Sequence, residues 1–300
     1  MNVRDRFFSK VLTNVRKGKD IMIVSSDLGA PSLDEYRKEF PNRFVNVGIA
    51  EQNSIAVAGG LCMAGKTAIT YGLNPFPVTR AYDQIRNIMA SLKIPVTVAA
   101  LKAGTSSAEA GLSHMALENI SILRTLKNIR IISPSDETIS QKAVLDIMER
   151  PMPRYIQFDP FIYGAIYDEK DIDFNKGFVT NKKESNITIV TSGIWANILN
   201  KENLDNKIID CYSLPIDEEG FIEEIKESKK IITIEDGVAA GGIGSMVLEI
   251  LNDHNVTIPV RRMALRFDDG YPEVLSDRNM IFKKEDLTIE KIKELVTEDI

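Results

Sequence analysis

Short runs of Val and Ile alternate with longer amphipathic stretches along the first half of the chain. Five apolar runs predict buried strands, at residues 21–26, 67–71, 95–101, 129–133 and 154–158. Five stretches predict helices, at residues 5–17, 50–63, 77–92, 116–126 and 136–149. Continuous apolar strands separated by helices are typical of a mainly parallel sheet that is covered on both faces. The first half therefore predicts an α/β domain.

A second α/β pattern follows a polar interval. Residues 166–185 are rich in charges and Asn with little periodicity, which predicts a linker. Strands are predicted at 187–193, 207–214, 230–236 and 258–265, and helices at 217–228, 240–253 and 287–297. The expected fold is two three-layer α/β/α domains, at 1–165 with a mainly parallel sheet and at 186–300 with a mixed sheet.

Composition excludes several classes of protein. The net charge of −6 disfavours binding to nucleic acid, because neutralising phosphates needs a basic face. The two cysteines, Cys62 and Cys211, have no metal-binding spacing, so no metal site is expected in this chain. The N-terminus lacks the apolar core of a signal peptide, and no apolar run reaches the length of a membrane span. We therefore expect a cytoplasmic protein without a membrane partner.

One segment carries most of the functional information. Residues 40–71 read FPNRFVNVGIAEQNSIAVAGGLCMAGKTAITY. This segment resembles the transketolase family, in which a strand bearing NVGIAEQN leads into a helix of small residues. The resemblance continues through residues 75–87, 114–124, 129–137, 208–217 and 233–245. It implies a pyrimidine-binding domain followed by a transketolase C-terminal domain, with thiamine diphosphate as the cofactor.

Glu51, in the NVGIAEQN motif, is the central predicted residue. The resemblance implies that its carboxyl group hydrogen-bonds N1′ of the cofactor's aminopyrimidine. A carboxyl group that shares a proton with N1′ helps the cofactor to lose the weakly acidic C2 proton of its thiazolium ring, and burial would suit the group to that task. Taken alone, an acidic residue at this position is more often a first-turn acid that interacts with the helix dipole.

Other predicted cofactor contacts are aromatic or lie at strand ends. Phe76 is the candidate platform on which the aminopyrimidine stacks, and Tyr71 is the alternative. Asp27, in the loop after the first strand, is a further predicted contact. His114 matches the family histidine that faces the donor substrate, where an imidazole polarises a hydroxyl or carbonyl group. The charged residues of RAYDQIR, at 80–86, predict only polar contacts near a helix and an interface.

The resemblance also implies a partner chain. The family holds Mg²⁺ and the cofactor's diphosphate with a GDG…N motif in an N-terminal domain, and this sequence contains no GDG. We therefore expect Mg²⁺ on a separate diphosphate-binding subunit, and two copies of each chain in a heterotetramer. The glycines Gly241, Gly242 and Gly244 open a predicted helix after a strand. Their expected role is close helix–strand packing rather than phosphate binding.

Departures from the family pattern bear on the substrate. Ala110 stands where the family has an aspartate that reads a sugar hydroxyl, and Lys102 or a neighbour stands in place of a second histidine. No arginine follows the strand at 154–158 to hold a substrate phosphate. We expect ketol transfer to a modified or nucleotide-linked sugar. Alternatives are a deoxyxylulose-phosphate-synthase-like carboligase, an oxo-acid dehydrogenase β-like subunit and a non-catalytic scaffold.

Overall fold

Two β-sheets, each built mainly from one half of the chain, form the computed structural model, which describes residues 1–202, 204–271 and 277–298. The first half contains α1 (Val3–Arg16), β1 (Ile21–Ser25), α2 (Pro31–Glu39), β2 (Phe44–Asn46), α3 (Glu51–Met63), β3 (Thr67–Leu73), α4 (Phe76–Thr79), α5 (Tyr82–Gln84), a π-helical stretch (Ile85–Ser91), β4 (Thr97–Leu101), α6 (Asn119–Arg124), β5 (Arg130–Ile132), α7 (Glu137–Glu149) and β6 (Arg154–Phe158).

The second half contains β7 (Val179–Thr180), β8 (Ile187–Thr191), α8 (Gly193–Glu202), β9 (Lys207–Asp210), β10 (Ser213–Leu214), α9 (Glu218–Ile225), β11 (Lys230–Val238), α10 (Ile243–Asp253), β12 (Val260–Leu265), α11 (Arg278–Lys284) and α12 (Ile289–Thr297). No helix among the described residues combines the length and apolar character that crossing a membrane requires.

The first sheet has the strand order β10-β5-β6-β4-β3-β1-β2. Its strands run parallel except β10, which comes from the second half and pairs antiparallel with β5. Successive side chains of a strand point to opposite faces. Along β3, Ile69 and Tyr71 pack on the side of α1, α2 and α7, whereas Ala68 packs on the side of α3 and the π-helical stretch. The predicted three-layer domain is confirmed.

The second sheet has the order β12-β11-β8-β9-β7. Four strands are parallel, and β7 is antiparallel to β9. Apolar residues of α8, α11 and α12 cover one face, and those of α9 and α10 cover the other. The predicted mixed sheet is therefore confirmed. The exact domain boundaries stay a prediction, although β7 lies inside the interval that the sequence predicts as a linker.

Two predicted elements differ in the structure. The helix expected at 77–92 is divided into α4, α5 and the π-helical stretch, and Ala81 leaves helical geometry between the first two pieces. The strand expected at 207–214 ends at Asp210, and the chain then crosses to the first sheet as β10. Both sheets bury apolar residues, so hydrophobicity alone does not reveal the crossing. Helices α2, α8 and α11 were not predicted.

Candidate active site

The motif that carries Glu51 forms a tight turn between β2 and α3. Asn46 ends β2, donates a 3.0 Å hydrogen bond from Nδ2 to Asp27 Oδ1, and accepts one of 2.9 Å from the Gly48 amide. Gly48 has φ of +73°, a left-handed conformation that glycine adopts without strain. The turn thereby directs Glu51 to the first position of α3. There the unpaired amides of the helix favour a carboxylate.

Glu51 is buried and has a cationic partner. Its residue exposure is 3%, which meets the expectation of a buried acid. Arg80 donates from Nη1 to Glu51 Oε2 at 2.7 Å, while the Arg80 side chain remains 44% exposed. The carboxylate therefore lies at a fixed position on a helix and is paired with a partly exposed guanidinium group.

Phe76 begins α4 and lies beside this ion pair. A Cβ at Gly72 would approach Pro77 Cγ to 2.8 Å, so glycine allows α4 to pack tightly against the end of β3. The guanidinium carbon of Arg80 lies 4.6 Å from the centroid of the Phe76 ring, a cation–π distance. Phe76 and Arg80 are four residues apart, the spacing at which helical side chains meet.

His114 completes the cluster of aromatic and charged groups. It ends a short 3-10 turn, Leu112–His114, and its ring contacts that of Phe76 edge-on, with centroids 5.2 Å apart and planes at 83°. Ser113 Oγ lies 2.9 Å from His114 Nδ1. The structure thus connects Glu51, Phe76 and His114 through one aromatic ring and one guanidinium group.

The second domain anchors the segment that carries His114, which we call the His114 loop (residues 102–116). The amide and hydroxyl groups of Thr105 both donate to Asp236, at 3.1 and 2.8 Å. Arg278 pairs with Asp236 at 3.1 Å and with Asp159 at 2.5 Å. Burial raises the pKa of Asp236, and the Arg278 guanidinium opposes that shift. The position of His114 therefore depends on both domains.

Two predicted cofactor residues lie outside the cluster. The Tyr71 ring is fully buried against Phe8 on the α1 side of the sheet, the opposite face from α3, and burial raises its pKa to about 12. Tyr71 therefore presents no ring face to the Glu51 site. Asp27 is exposed at the carboxyl end of β1, with φ of +58° and the hydrogen bond from Asn46. It borders the turn that leads to Glu51.

The glycine run of the second domain has the predicted packing role. Glu235 accepts from the amides of Ile243 and Gly244 at 2.7 and 2.8 Å, which fills the anion position at the start of α10. Burial raises the pKa of Glu235 to about 7, although these two donors favour its ionised form. A Cβ at Gly242 would collide with Glu235 Oε2. The prediction of close packing is confirmed.

Sequence reasoning gave Arg80 only polar contacts near a helix and an interface and missed its contacts with Glu51 and Phe76, and it missed the pair of carboxylates around Arg278. The four-residue spacing from Phe76 was a usable signal for Arg80, since it places a guanidinium above an aromatic ring. No local pattern relates Thr105 to Asp236, which lies 131 residues further along the chain.

Comparisons with known proteins agree with this architecture. Residues 2–159 match the transketolase pyrimidine-binding domain, and residues 178–279 match the transketolase C-terminal domain. An apulose-4-phosphate transketolase subunit from Phocaeicola vulgatus is 28% identical, covering 86% of this chain and 85% of that protein. 1-Deoxy-D-xylulose-5-phosphate synthase from Halothermothrix orenii is 31% identical, covering 84% of this chain and 42% of that protein.

A solved structure gives the same result in three dimensions. It is described as a split-gene transketolase in an inactive β4 tetramer, and it superposes with a TM-score of 0.84 at 28% identity. The superposition covers 99% of this chain and 97% of the other. Both domain matches and the order of the two domains lead to one conclusion. The chain belongs to the transketolase family, whose members depend on thiamine diphosphate, and it contains the pyrimidine-binding and C-terminal domains.

Proposed function

We propose that this chain is the pyrimidine-binding subunit of a transketolase that transfers a two-carbon ketol unit between sugar-type substrates. The observation that carries the proposal is the meeting of a buried carboxylate, an aromatic ring and an imidazole, provided by Glu51, Phe76 and His114. A separate chain binds the diphosphate and Mg²⁺. The complex contains two copies of each chain.

The residues present fit the aminopyrimidine half of thiamine diphosphate. Glu51 accepts and returns a proton at N1′, and its fixed place at the start of α3 limits its movement. Phe76 offers a ring face for stacking, rather than Tyr71, whose ring is enclosed by the core. His114 hydrogen-bonds a hydroxyl or carbonyl group of the sugar beside that ring. The bound cofactor supplies the carbon nucleophile that carries the two-carbon unit.

The outer face of α3 supports a subunit interface next to the cofactor site. Ile49, which precedes this helix, and Met63, its last residue, are 75% and 77% exposed. Between them, Ala56 and Gly60 leave the exposed helix surface nearly flat. Two exposed apolar side chains on either side of a small-residue surface are consistent with a face that becomes buried in a complex. One similar protein is named as a transketolase subunit, and one similar structure is described as a split-gene transketolase tetramer. Both descriptions are consistent with a chain that functions as part of a complex.

The residues of the His114 loop favour the proposal that the substrate is not one of the common pentose phosphates. Ala110 offers no side-chain hydrogen bond to a hydroxyl group. Lys102 Nζ is held by Glu109 Oε1 at 2.9 Å and by the Ser106 carbonyl at 3.1 Å. One similar protein is named for apulose 4-phosphate. We therefore propose a modified or nucleotide-linked sugar as a substrate.

The experiment combines this chain with a diphosphate-binding transketolase subunit, thiamine diphosphate and Mg²⁺. Xylulose 5-phosphate is supplied as the donor with a panel of aldose acceptors, and mass spectrometry detects products that are longer by two carbons. We expect such products, with ribose 5-phosphate not the best acceptor. The argument from Ala110 would be wrong if xylulose 5-phosphate and ribose 5-phosphate formed the best pair.

A parallel reaction with pyruvate separates the alternatives. The 31% identity to a 1-deoxy-D-xylulose-5-phosphate synthase favours a carboligase as the second candidate. Release of CO₂ from pyruvate, without ketol transfer, would support that carboligase or an oxo-acid dehydrogenase β-like subunit. An assembled complex that binds the cofactor but transforms neither substrate would support a non-catalytic scaffold.

A further inference from the structure

Arg80 makes two contacts at once in the candidate active site. Its Nη1 donates to Glu51 Oε2 at 2.7 Å, and its guanidinium carbon lies 4.6 Å from the centroid of the Phe76 ring. The guanidinium group is planar and cationic, and it stacks on aromatic faces while donating hydrogen bonds in its own plane. A single side chain therefore uses both the ring face and the carboxylate.

The proposed function assigns the Phe76 ring face and the Glu51 carboxylate to the aminopyrimidine of the cofactor, and these are the two groups that Arg80 contacts. A flat heterocycle that stacks on Phe76 and places N1′ against Glu51 would overlap the guanidinium group. We propose, on the basis of that function, that Arg80 occupies the aminopyrimidine position in the isolated subunit and is displaced when the cofactor binds. Arg80 thereby closes the cofactor site of the unassembled chain.

The geometry allows Arg80 to move while Glu51 stays in place. The Arg80 side chain is 44% exposed, and within the described residues its side chain contacts only Glu51 and Phe76 as polar or cation–π partners. Glu51, by contrast, is 3% exposed and begins a thirteen-residue helix. Displacement breaks one half-exposed ion pair and one cation–π contact, which together correspond to about 3- to 30-fold in cofactor affinity.

The proposed position of Arg80 makes binding of the cofactor depend on assembly with the partner chain. The diphosphate site of the partner chain supplies charge-assisted contacts that the isolated chain lacks under the proposed function. Those contacts offset the loss of the Arg80 pair, so the cofactor displaces Arg80 most readily in the complete complex. In the isolated chain the guanidinium group competes directly with the aminopyrimidine.

The test uses the full chain and three variants, Arg80→Ala, Arg80→Lys and Arg86→Ala. Arg86 is an exposed arginine of the π-helical stretch that follows, so its replacement is the matched control. Thiamine diphosphate with Mg²⁺ is titrated by calorimetry, and 4-amino-2-methylpyrimidine is titrated by NMR as a probe for the ring alone. Circular dichroism and the unfolding midpoint confirm that each variant is folded.

We expect Arg80→Ala to bind both ligands about 3- to 30-fold more tightly than the unaltered chain, and Arg86→Ala to match the unaltered chain. Arg80→Lys keeps the charge but not the planar group, so its affinity should be intermediate. Equal or weaker binding by Arg80→Ala would overturn the inference and leave the proposed function standing. No binding of either ligand to any variant, up to the solubility limit, would overturn this inference, because removal of Arg80 would then open no site in the isolated chain, whereas the ketol-transfer assay on the assembled complex tests the proposed function separately.

Discussion

Replacing Glu51 with Gln tests the acid–base role of this residue with little change in shape. The amide keeps the volume of the carboxyl group and retains an oxygen that accepts the Arg80 hydrogen bond. It cannot exchange a proton with N1′ of the aminopyrimidine. A positioned acid–base group typically contributes about 10²–10⁴-fold to a rate. We expect the complex that contains Glu51→Gln to lose ketol-transfer activity on that scale.

The structure separates this loss from a loss of folding. Arg80, the partner of Glu51, has a side chain that is 44% exposed, and ion pairs with such exposure contribute at most about 1 kcal/mol. The substitution leaves no cavity beside the 3% exposed side chain, because the two residues have the same volume. The free energy of unfolding should therefore change by less than about 1 kcal/mol.

The assay measures three quantities on one preparation of the complex. They are the rate of ketol transfer, the exchange of the cofactor C2 proton into deuterated water, and the circular dichroism spectrum. Slow exchange with an unchanged spectrum would agree with the proposed role. Turnover equal to that of the unaltered complex would show that Glu51 is only a helix-start acid, and the cofactor site built around it would then be wrong.

Three further predictions concern the stability of the isolated chain in urea. Asp146→Ala leaves Arg154, which is 1% exposed, without the carboxylate that holds it at 2.5 and 2.9 Å, and should cost about 3–5 kcal/mol. Burial raises the pKa of Asp210 to about 8, so the folded chain retains a proton that the unfolded chain loses above its ordinary pKa of 3.8. Stability should fall as the pH rises between those two values, and Asp210→Asn should flatten that decline. Gly242→Ala would drive a Cβ into Glu235 Oε2 and should destabilise the chain by about 1–3 kcal/mol.

Matched substitutions serve as controls for these measurements. Asp34, whose ion pair with Arg37 is 3.9 Å long and exposed, should change stability by less than about 0.5 kcal/mol when replaced by Ala. A Cβ at Gly60 would meet nothing within 4 Å, so Gly60→Ala should stabilise α3 by about 0.5–1 kcal/mol. An Asp146→Ala chain as stable as Asp34→Ala would contradict the buried-pair argument. Stability that rises with pH and is unaffected by Asp210→Asn would contradict the linkage argument.

The first domain was predictable because its signals are local. NVGIAEQN joins a strand to a helix of small residues within one short segment, so the place of Glu51 at the start of α3 follows from the motif. Tyr71 shows where local reasoning fails. Its position in β3 fixes that it shares a face with Ile69, but not which helices cover that face. That choice depends on the packing of α1 and α3, which the strand itself does not encode.

The position of His114 illustrates the same limit over a longer distance. The motif identifies the residue, whereas the loop that carries it is held by Asp236 and Arg278 from the second domain. A Cβ at Gly104 would collide with Asp236 Oδ2, so the loop and that carboxylate are in direct contact. Such a contact between distant parts of the chain has no periodic or compositional signature. It also gives the C-terminal domain a role in positioning a side chain that the proposed function assigns to the substrate.

Glu51 and Arg80 differ in burial, and under the proposed function that difference explains why Arg80 need not hinder cofactor binding in the assembled complex. Glu51 is fixed by the burial of its own side chain and by the packing of α3, in which Ile55 and Ala58 are buried. Arg80 follows the end of α4, where helical geometry is interrupted before α5, and its side chain is 44% exposed. A carboxylate at a fixed position preserves the geometry that proton transfer requires. A guanidinium group that can be displaced covers this carboxylate at little energetic cost. A cofactor that brings its own contacts to the partner chain has only the mobile group to displace.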